Sequence, residues 1–198
     1  NDYRSNLYQF VNAGYLNLNY KPNDTWDILV GGRVENNINI TRYKEQGDSE
    51  FNNLNKNQYF ILPSFSVKKS LNTKSNIRFA ASKTITRPIL IEYMPITYIN
   101  PDNENIIGNK DLKNSENYNL DLKYEIFPTN KELLSVNLFA KKIDNAIERG
   151  YTASGNSNGV AITFFNAENA VLAGAEVEGI MNLSRISESL NKWSLGAN

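Results

Sequence analysis

In the stretch from Glu116 to Ile126, apolar and polar residues alternate. Tyr118, Leu120, Leu122, Tyr124 and Ile126 are apolar, and Asn117, Asn119, Asp121, Lys123 and Glu125 are polar. Period two puts every apolar side chain on one face of a strand, whereas a helix would scatter them round its circumference. The stretch therefore predicts a strand with one greasy and one wet face. Its eleven residues match the roughly 9–11 that a tilted strand needs to cross a hydrocarbon layer.

The same rhythm recurs along the chain. Leu16, Leu18 and Tyr20 alternate with Asn17, Asn19 and Lys21, while the mixed parity between Leu7 and Tyr15 is compatible with a bulge or a loop end. After a turn at 21–25, Trp26, Ile28, Val30, Gly32, Val34, Ile38 and Ile40 stand opposite Asp27, Gly31, Arg33, Glu35, Asn37 and Asn39. Further strands run through Pro63, Phe65 and Val67, through Ile77, Phe79, Ala81 and Ile85, and through Leu134, Val136, Leu138 and Ala140. A seventh alternates Val171, Ala173, Ala175, Val177, Gly179 and Met181 against Gly174, Glu176, Glu178 and Asn182, and an eighth begins at Trp193. Polar connections at 41–57, 87–115 and 144–160 separate the short turns at 21–25, 70–75 and 127–132. Long and short connections thus alternate, which in an up-and-down sheet gathers the long loops at one end. Outer-membrane barrels have this layout, and a soluble sandwich has no reason for it. Tyr20 and Trp26 flank a short turn on the apolar parity, where an interfacial girdle would use amphipathic aromatics.

Composition sharpens the picture by exclusion. The chain of 198 residues has 21 basic and 21 acidic side chains, so no basic stripe calls for nucleic acid. No 18-residue apolar run exists to make a transmembrane helix, but alternating barrel strands average to a low hydropathy in any case. Cys and His are absent, which removes disulfides, thiolate nucleophiles, imidazole bases and any His or Cys metal site. With no initiator Met, no signal peptide and an eighth strand cut midway, the chain is expected to be an internal piece of a longer protein.

The wording of the central stretch carries more than its pattern. Arg78-Phe79-Ala80-Ala81-Ser82-Lys83-Thr84-Ile85-Thr86-Arg87-Pro88, then Glu92-Tyr93-Met94-Pro95, then Gly108-Asn109-Lys110-Asp111-Leu112 resembles the C-terminal barrel of TonB-dependent outer-membrane receptors, in their Bacteroidota-type form. Gly32-Arg33-Val34-Glu35, Phe139-Ala140-Lys141-Lys142 and Ala173-Gly174-Ala175-Glu176-Val177-Glu178 look like the same family, in the same order. Lys110 departs from the proline usual there. The resemblance implies an all-β, antiparallel, up-and-down transmembrane barrel of about 22 strands, of which residues 1–198 supply about eight as part of one barrel domain. The plug domain and the C-terminal strands lie elsewhere. It implies a receptor in the bacterial outer membrane that binds a scarce ligand, such as an iron chelate, cobalamin, a glycan or a peptide, and imports it. Its partners would be lipid, its own plug, the inner-membrane TonB energising complex acting through that plug, and in some members a surface lipoprotein. No cofactor is implied.

On this scheme Leu16, Leu18, Ile28, Val30, Tyr118, Leu120, Leu122, Leu134, Val136, Leu138 and Val177 face lipid. Arg33, Glu35, Asp121, Lys123, Glu125, Glu176 and Glu178 face the lumen, either as contacts for plug or ligand or as a mutually neutralising wall. Arg87, Glu92 and Tyr93 open the longest loop and are the candidates for a ligand path, since loops on rigid scaffolds carry function. Asp102 and Glu104 could hold a hard cation but read more simply as solvated loop charges. Gly150, Gly155 and Gly159 enter no helix, so they are loop glycines rather than a phosphate loop. An enzyme would need a carboxylate-only site, and no paired carboxylates face a nucleophile. The alternatives are a small self-contained barrel of about eight strands with an adhesive or structural role, and a soluble glycan-binding sandwich with Leu120 and Leu122 in a protein core.

Overall fold

The computed structural model describes residues 4–44, 49–153 and 159–198. Four strands open the chain: β1 (Arg4–Tyr20), β2 (Trp26–Lys44), β3 (Asn52–Asn72) and β4 (Ser75–Thr86). A short helix α1 (Leu90–Tyr93) and the small strands β5 (Thr97–Ile99) and β6 (Asn105–Ile107) follow. The wall resumes with β7 (Ser115–Ile126), β8 (Leu133–Ala153), β9 (Val160–Asn182) and the short β10 (Ser194–Ala197). Among the described residues all ten strands form one sheet, and neighbours in the order β1-β2-β3-β4-β7-β8-β9 pair antiparallel as an up-and-down wall.

Register makes the alternation of each strand add up across the wall. Leu18 pairs Val30, Val30 pairs Phe65, Phe65 pairs Ala81, Ala81 pairs Leu120, Leu120 pairs Ala140 and Ala140 pairs Ala173. The eleven residues expected to face lipid all lie on this apolar face, and all are exposed except the half-buried Ile28. The charged set from Arg33 to Glu178 lies on the opposite, polar face. The upper limit of the apolar face steps down from Ile40 on β2 to Ile61 on β3, Tyr118 on β7 and Ala140 on β8, each lower in register than the last. A band level with a membrane plane descends in this way when the strands tilt, as they do in a barrel.

Three expectations need correction. Strand β1 pairs with β2 from Arg4 to Tyr20 with no register shift, so residues 7–15 hold neither a bulge nor a loop end. Residues 41–44 belong to β2 and 52–57 to β3, so the supposed loop at 41–57 is strand at both of its ends. Likewise β8 runs to Ala153 and β9 starts at Val160, so most of 144–160 is strand and Gly150 is a strand residue paired with Thr163. Gly159, at φ 69°, is a loop glycine as expected, and Gly155 lies outside the described residues. The last two share a cause: strands projecting beyond an apolar band carry mostly polar residues on both faces and lose the period-two signal.

The long connection at 87–115 is a structure rather than an open loop. It folds onto the polar face, and β6 pairs parallel with β9 through Ile106 with Ile162 and Ile107 with Thr163. Asn109 Nδ2 donates to the Phe164 carbonyl at 2.9 Å, and Asn166 Nδ2 donates to the Lys113 carbonyl at 3.1 Å and to that of Asn145 at 2.8 Å. Among the described residues, the buried apolar side chains are Tyr43, Tyr93, Met94, Leu112, Ala146, Ala161 and Ile162. They gather beneath this loop, so the one small core sits at the loop end of the wall.

Candidate functional site

The site is built where β4 leaves the wall. Below Ser64 and Ser82 strands β3 and β4 are paired; above them β3 continues alone with β2, while β4 runs with β7 to Thr86 and turns inward. Pro63 stands at the parting, where a residue without an N–H cannot continue a ladder on that side. The space is filled by α1 and the returning segment 108–114.

Arg87, the first residue after β4, donates from Nη2 to Glu35 Oε2. Glu35 is 7% exposed and also accepts from Arg33 Nε at 2.5 Å. The Arg87 guanidinium lies 5.9 Å from the centre of the Phe60 ring. A buried carboxylate shared by two guanidinium groups stays charged because both donors are themselves charged. Glu92 turns back along the chain, its carboxylate accepting from the Ile89 backbone N–H at 2.9 Å, and so holds the start of α1 rather than facing the cavity. Tyr93 points the other way and is 6% exposed. Burial, with the carboxylate of Asp111 and the Tyr43 ring nearby, pushes its hydroxyl up to about 12, so it remains a proton donor throughout the physiological range.

Lys56 ties the loop down. Its ammonium donates to the Lys110 carbonyl at 2.9 Å and the Leu112 carbonyl at 3.3 Å, and sits 4.7 Å from the centre of the Tyr93 ring. Gly108 is a place only glycine fits, since a Cβ there would overlap the Met94 carbonyl. The result is a cavity of about 350 Å³ between β1, β2, β3 and the loop, with Arg87, Tyr93, Lys56, Asn39, Gln58 and Asn114 among its walls.

Two of the three ligand-path candidates, Arg87 and Tyr93, therefore line one cavity, and Glu92 does not. Arg33 and Glu35 support Arg87 from behind. The remaining charged candidates lie lower on the polar face: Lys123 is 3.4 Å from Glu125, and Glu178 accepts from Ser135 Oγ at 3.5 Å. Glu104 is engaged by Asn100 and Arg149 in the β5–β6 hairpin. Lys56, Asn39, Gln58 and Asn114 escaped sequence reasoning. Nothing local marks them; what joins Lys56 to the loop is a contact between residues more than fifty positions apart.

At the opposite end of the wall, Arg185 grips Glu132 through two hydrogen bonds of 2.5 and 2.8 Å, clasping the β7–β8 turn to the β9–β10 turn. Tyr20 and Trp26 flank the first turn at that same end, and Lys69 lies 4.5 Å from the Trp26 ring centre.

A tilted, up-and-down sheet with one uncovered apolar face and one polar face under an inward-folded loop is the wall of a membrane barrel. The sequence profile of the outer membrane protein beta-barrel family matches residues 2–196, and the chain belongs to that family, placing it in the bacterial outer membrane. The wall is similar to that of the siderophore receptor PirA from Pseudomonas aeruginosa, at 16% identity over 91% of this chain and 41% of that one, with a TM-score of 0.63. It is similar to the copper transporter OprC, at 11% identity over 89% of this chain and 26% of that one, with a TM-score of 0.64. A mutant of the ferric enterobactin receptor PfeA from Pseudomonas aeruginosa follows at 14% identity, covering 90% of this chain and 34% of that one with a TM-score of 0.53. At such identities the likeness is one of fold, and the chain spans less than half the length of each of these structures. It agrees with the receptor-barrel resemblance of the sequence. Among curated proteins nothing matches the chain.

Proposed function

We propose that residues 1–198 are part of the barrel domain of a TonB-dependent receptor, which binds a scarce extracellular ligand and imports it by gated passage, without covalent chemistry. The observation that carries this reading is the cavity under the 87–114 loop, lined by Arg87 and Tyr93 at the end of the wall where that loop folds inward. A rigid wall with a positioned loop is how barrels present binding groups. In this reading the apolar face from Leu16 to Val177 meets lipid, and Tyr20 and Trp26 sit at an interface. The polar face meets a plug supplied by another part of the protein. The TonB complex acts through that plug, and a surface lipoprotein is a further partner. The self-contained barrel would need β1 to pair with β10; among the described residues β1 pairs with β2, and β10 with β9 over Ser194–Ala197.

The test is deletion of the gene carrying this segment, followed by uptake assays with labelled ferric chelates, cobalamin, glycans and peptides. Uptake of one ligand should be lost, should return with the intact gene, and should need a working TonB complex. Unchanged uptake of all four classes would rule the importer out.

A further inference from the structure

On the outward side of the wall, the parting of β3 and β4 leaves a groove. Among the described residues their ladder ends at Ser64 with Ser82, and the next residues up, Pro63 and Lys83, do not pair. Ile61 and Ile85 carry the apolar parity of the two strands beyond that point, so the split opens within the apolar band. One step below it Phe65, Ala81 and Leu120 stand side by side, a small residue between two large ones. The groove measures about 480 Å³, with Phe65, Ala81, Tyr118 and Leu120 among its apolar walls and Ser64 and Ser82 at the parting. Phe65, Tyr118 and Leu120 are exposed, so the groove is open to its surroundings. Resting on the reading that the apolar face meets lipid, we infer that this groove holds one acyl chain of a membrane lipid. That lipid seals the split from outside, as α1 and residues 108–114 fill it from inside.

Three observations choose this occupant. Family membership puts the wall in the outer membrane, and the groove is continuous with the apolar ladder through Phe65, Ala81 and Leu120. The second is the split itself. Open sheet edges are not left bare in hydrocarbon, where no water meets the freed N–H and C=O groups. Pro63 removes one such N–H, and the ester and head-group region of a lipid can bond the others while its chain runs down the groove. The third is the arrangement of charge, which gives the lipid its direction. Lys83 stands on the outward parity of β4, 2.7 Å from the Glu116 carboxylate, and the Tyr118 hydroxyl donates to the same carboxylate at 3.0 Å. These polar groups lie on the loop side of the groove and the apolar ladder on the other. The head group therefore sits beside Lys83, and the chain passes over Ala81 toward Phe79. Further round the same row, Leu120, Ala140 and Ala173 belong to strands that remain paired, so lipid there meets a closed wall with no groove between strands.

The experiment uses the intact protein from the gene carrying this segment, reconstituted in vesicles of phosphatidylethanolamine and phosphatidylglycerol. A trace of the phosphatidylethanolamine carries a photoactivatable diazirine in one acyl chain, and adducts are mapped by mass spectrometry after irradiation. The comparison stretch is 138–140, near the upper limit of the apolar face on β8 but along a closed part of the wall. Labelling of residues 63–65 and 81–83 should exceed that of 138–140 by about fivefold, the ratio that a preference of about 1 kcal/mol gives. Ala81→Phe, which fills the groove, should bring the ratio down to about one, the value for a lipid without preference. That variant is read on barrels that keep heat-modifiable gel mobility, and the ratio in the unsubstituted protein stands without it. Even labelling of the whole face would overturn the held lipid and leave the receptor reading standing. A focus that Ala81→Phe does not move would overturn the groove as its seat. Labelling at 63–65 and 81–83 below that of 138–140 would mean that protein covers the groove, and would overturn the inference as well. A face without label anywhere, 138–140 included, would overturn the lipid-facing assignment on which the inference rests.

Discussion

At the level of Leu18, Val30, Phe65, Ala81, Leu120, Ala140 and Ala173 the wall carries an apolar ladder with nothing packed against it among the described residues. Further along β2, the same sheet buries Glu35, Asn37 and Thr41 beneath a folded loop. Among the described residues the lower region has no core: its backbone is satisfied strand to strand, and in the receptor reading proposed above its side chains would meet lipid. The upper region has a core of its own, assembled from a loop that must close. One region is held by the medium and the other by packing, so they should fail in different ways.

The largest effect should come from Leu120→Arg, which places a charge in the middle of the apolar ladder. Assembly of the intact barrel in lipid should weaken by about 2–4 kcal/mol, read from urea unfolding in vesicles. Gly108→Ala should come next, because the added methyl meets the Met94 carbonyl and the loop has to move. Crowding of this kind costs about 1–3 kcal/mol. It should show as protease cleavage within 87–114 while the barrel keeps its folded mobility, and simultaneous loss of the barrel would dissolve the distinction between the regions.

A subtler effect concerns Glu132, outside both regions. Its hydrogen bonds to Arg185 pull the carboxyl from its ordinary 4.5 to about 2, against the opposing effect of burial, with the Asn182 N–H and the Thr129 hydroxyl helping. A depressed carboxyl stabilises the fold above its unfolded value, and that contribution fades as pH falls toward about 2. Glu132→Gln should therefore flatten the dependence of stability on pH across that acid window, and a variant as steep as the parent would show the clasp to be idle. The smallest effect belongs to Asn119→Arg, one residue from Leu120 but on the polar face. It should change stability by less than about 0.5 kcal/mol, and parity between positions 119 and 120 would undo the assignment of faces.

Much of the wall could be read from the chain. The alternation in Tyr118 to Ile126 and in Val171 to Met181 named strands and faces, because a period of two is local and survives any tertiary context. Where both faces are polar, at 41–44, 52–57 and 144–153, the strands left no trace. The mixed run at 7–15 misled for a related reason: Val11 and Tyr15 lie on the polar parity of a strand whose register never breaks. In the candidate site, Arg87 and Tyr93 were found through the family wording and through their place at the mouth of a long loop. Glu92, their neighbour, turned out to hold α1, a distinction of side-chain direction that spacing cannot express.

The sequence by itself determined the strands, their two faces and the short turns, since each rests on neighbours two to five residues apart, and the wording of its motifs gave the kind of barrel by resemblance. Only the tertiary structure decided that β3 and β4 part at Pro63, that the 87–114 loop folds onto the polar face, and that Lys56 anchors it. Those contacts join residues tens of positions apart, and the closure that brings them together depends on register across several strands at once.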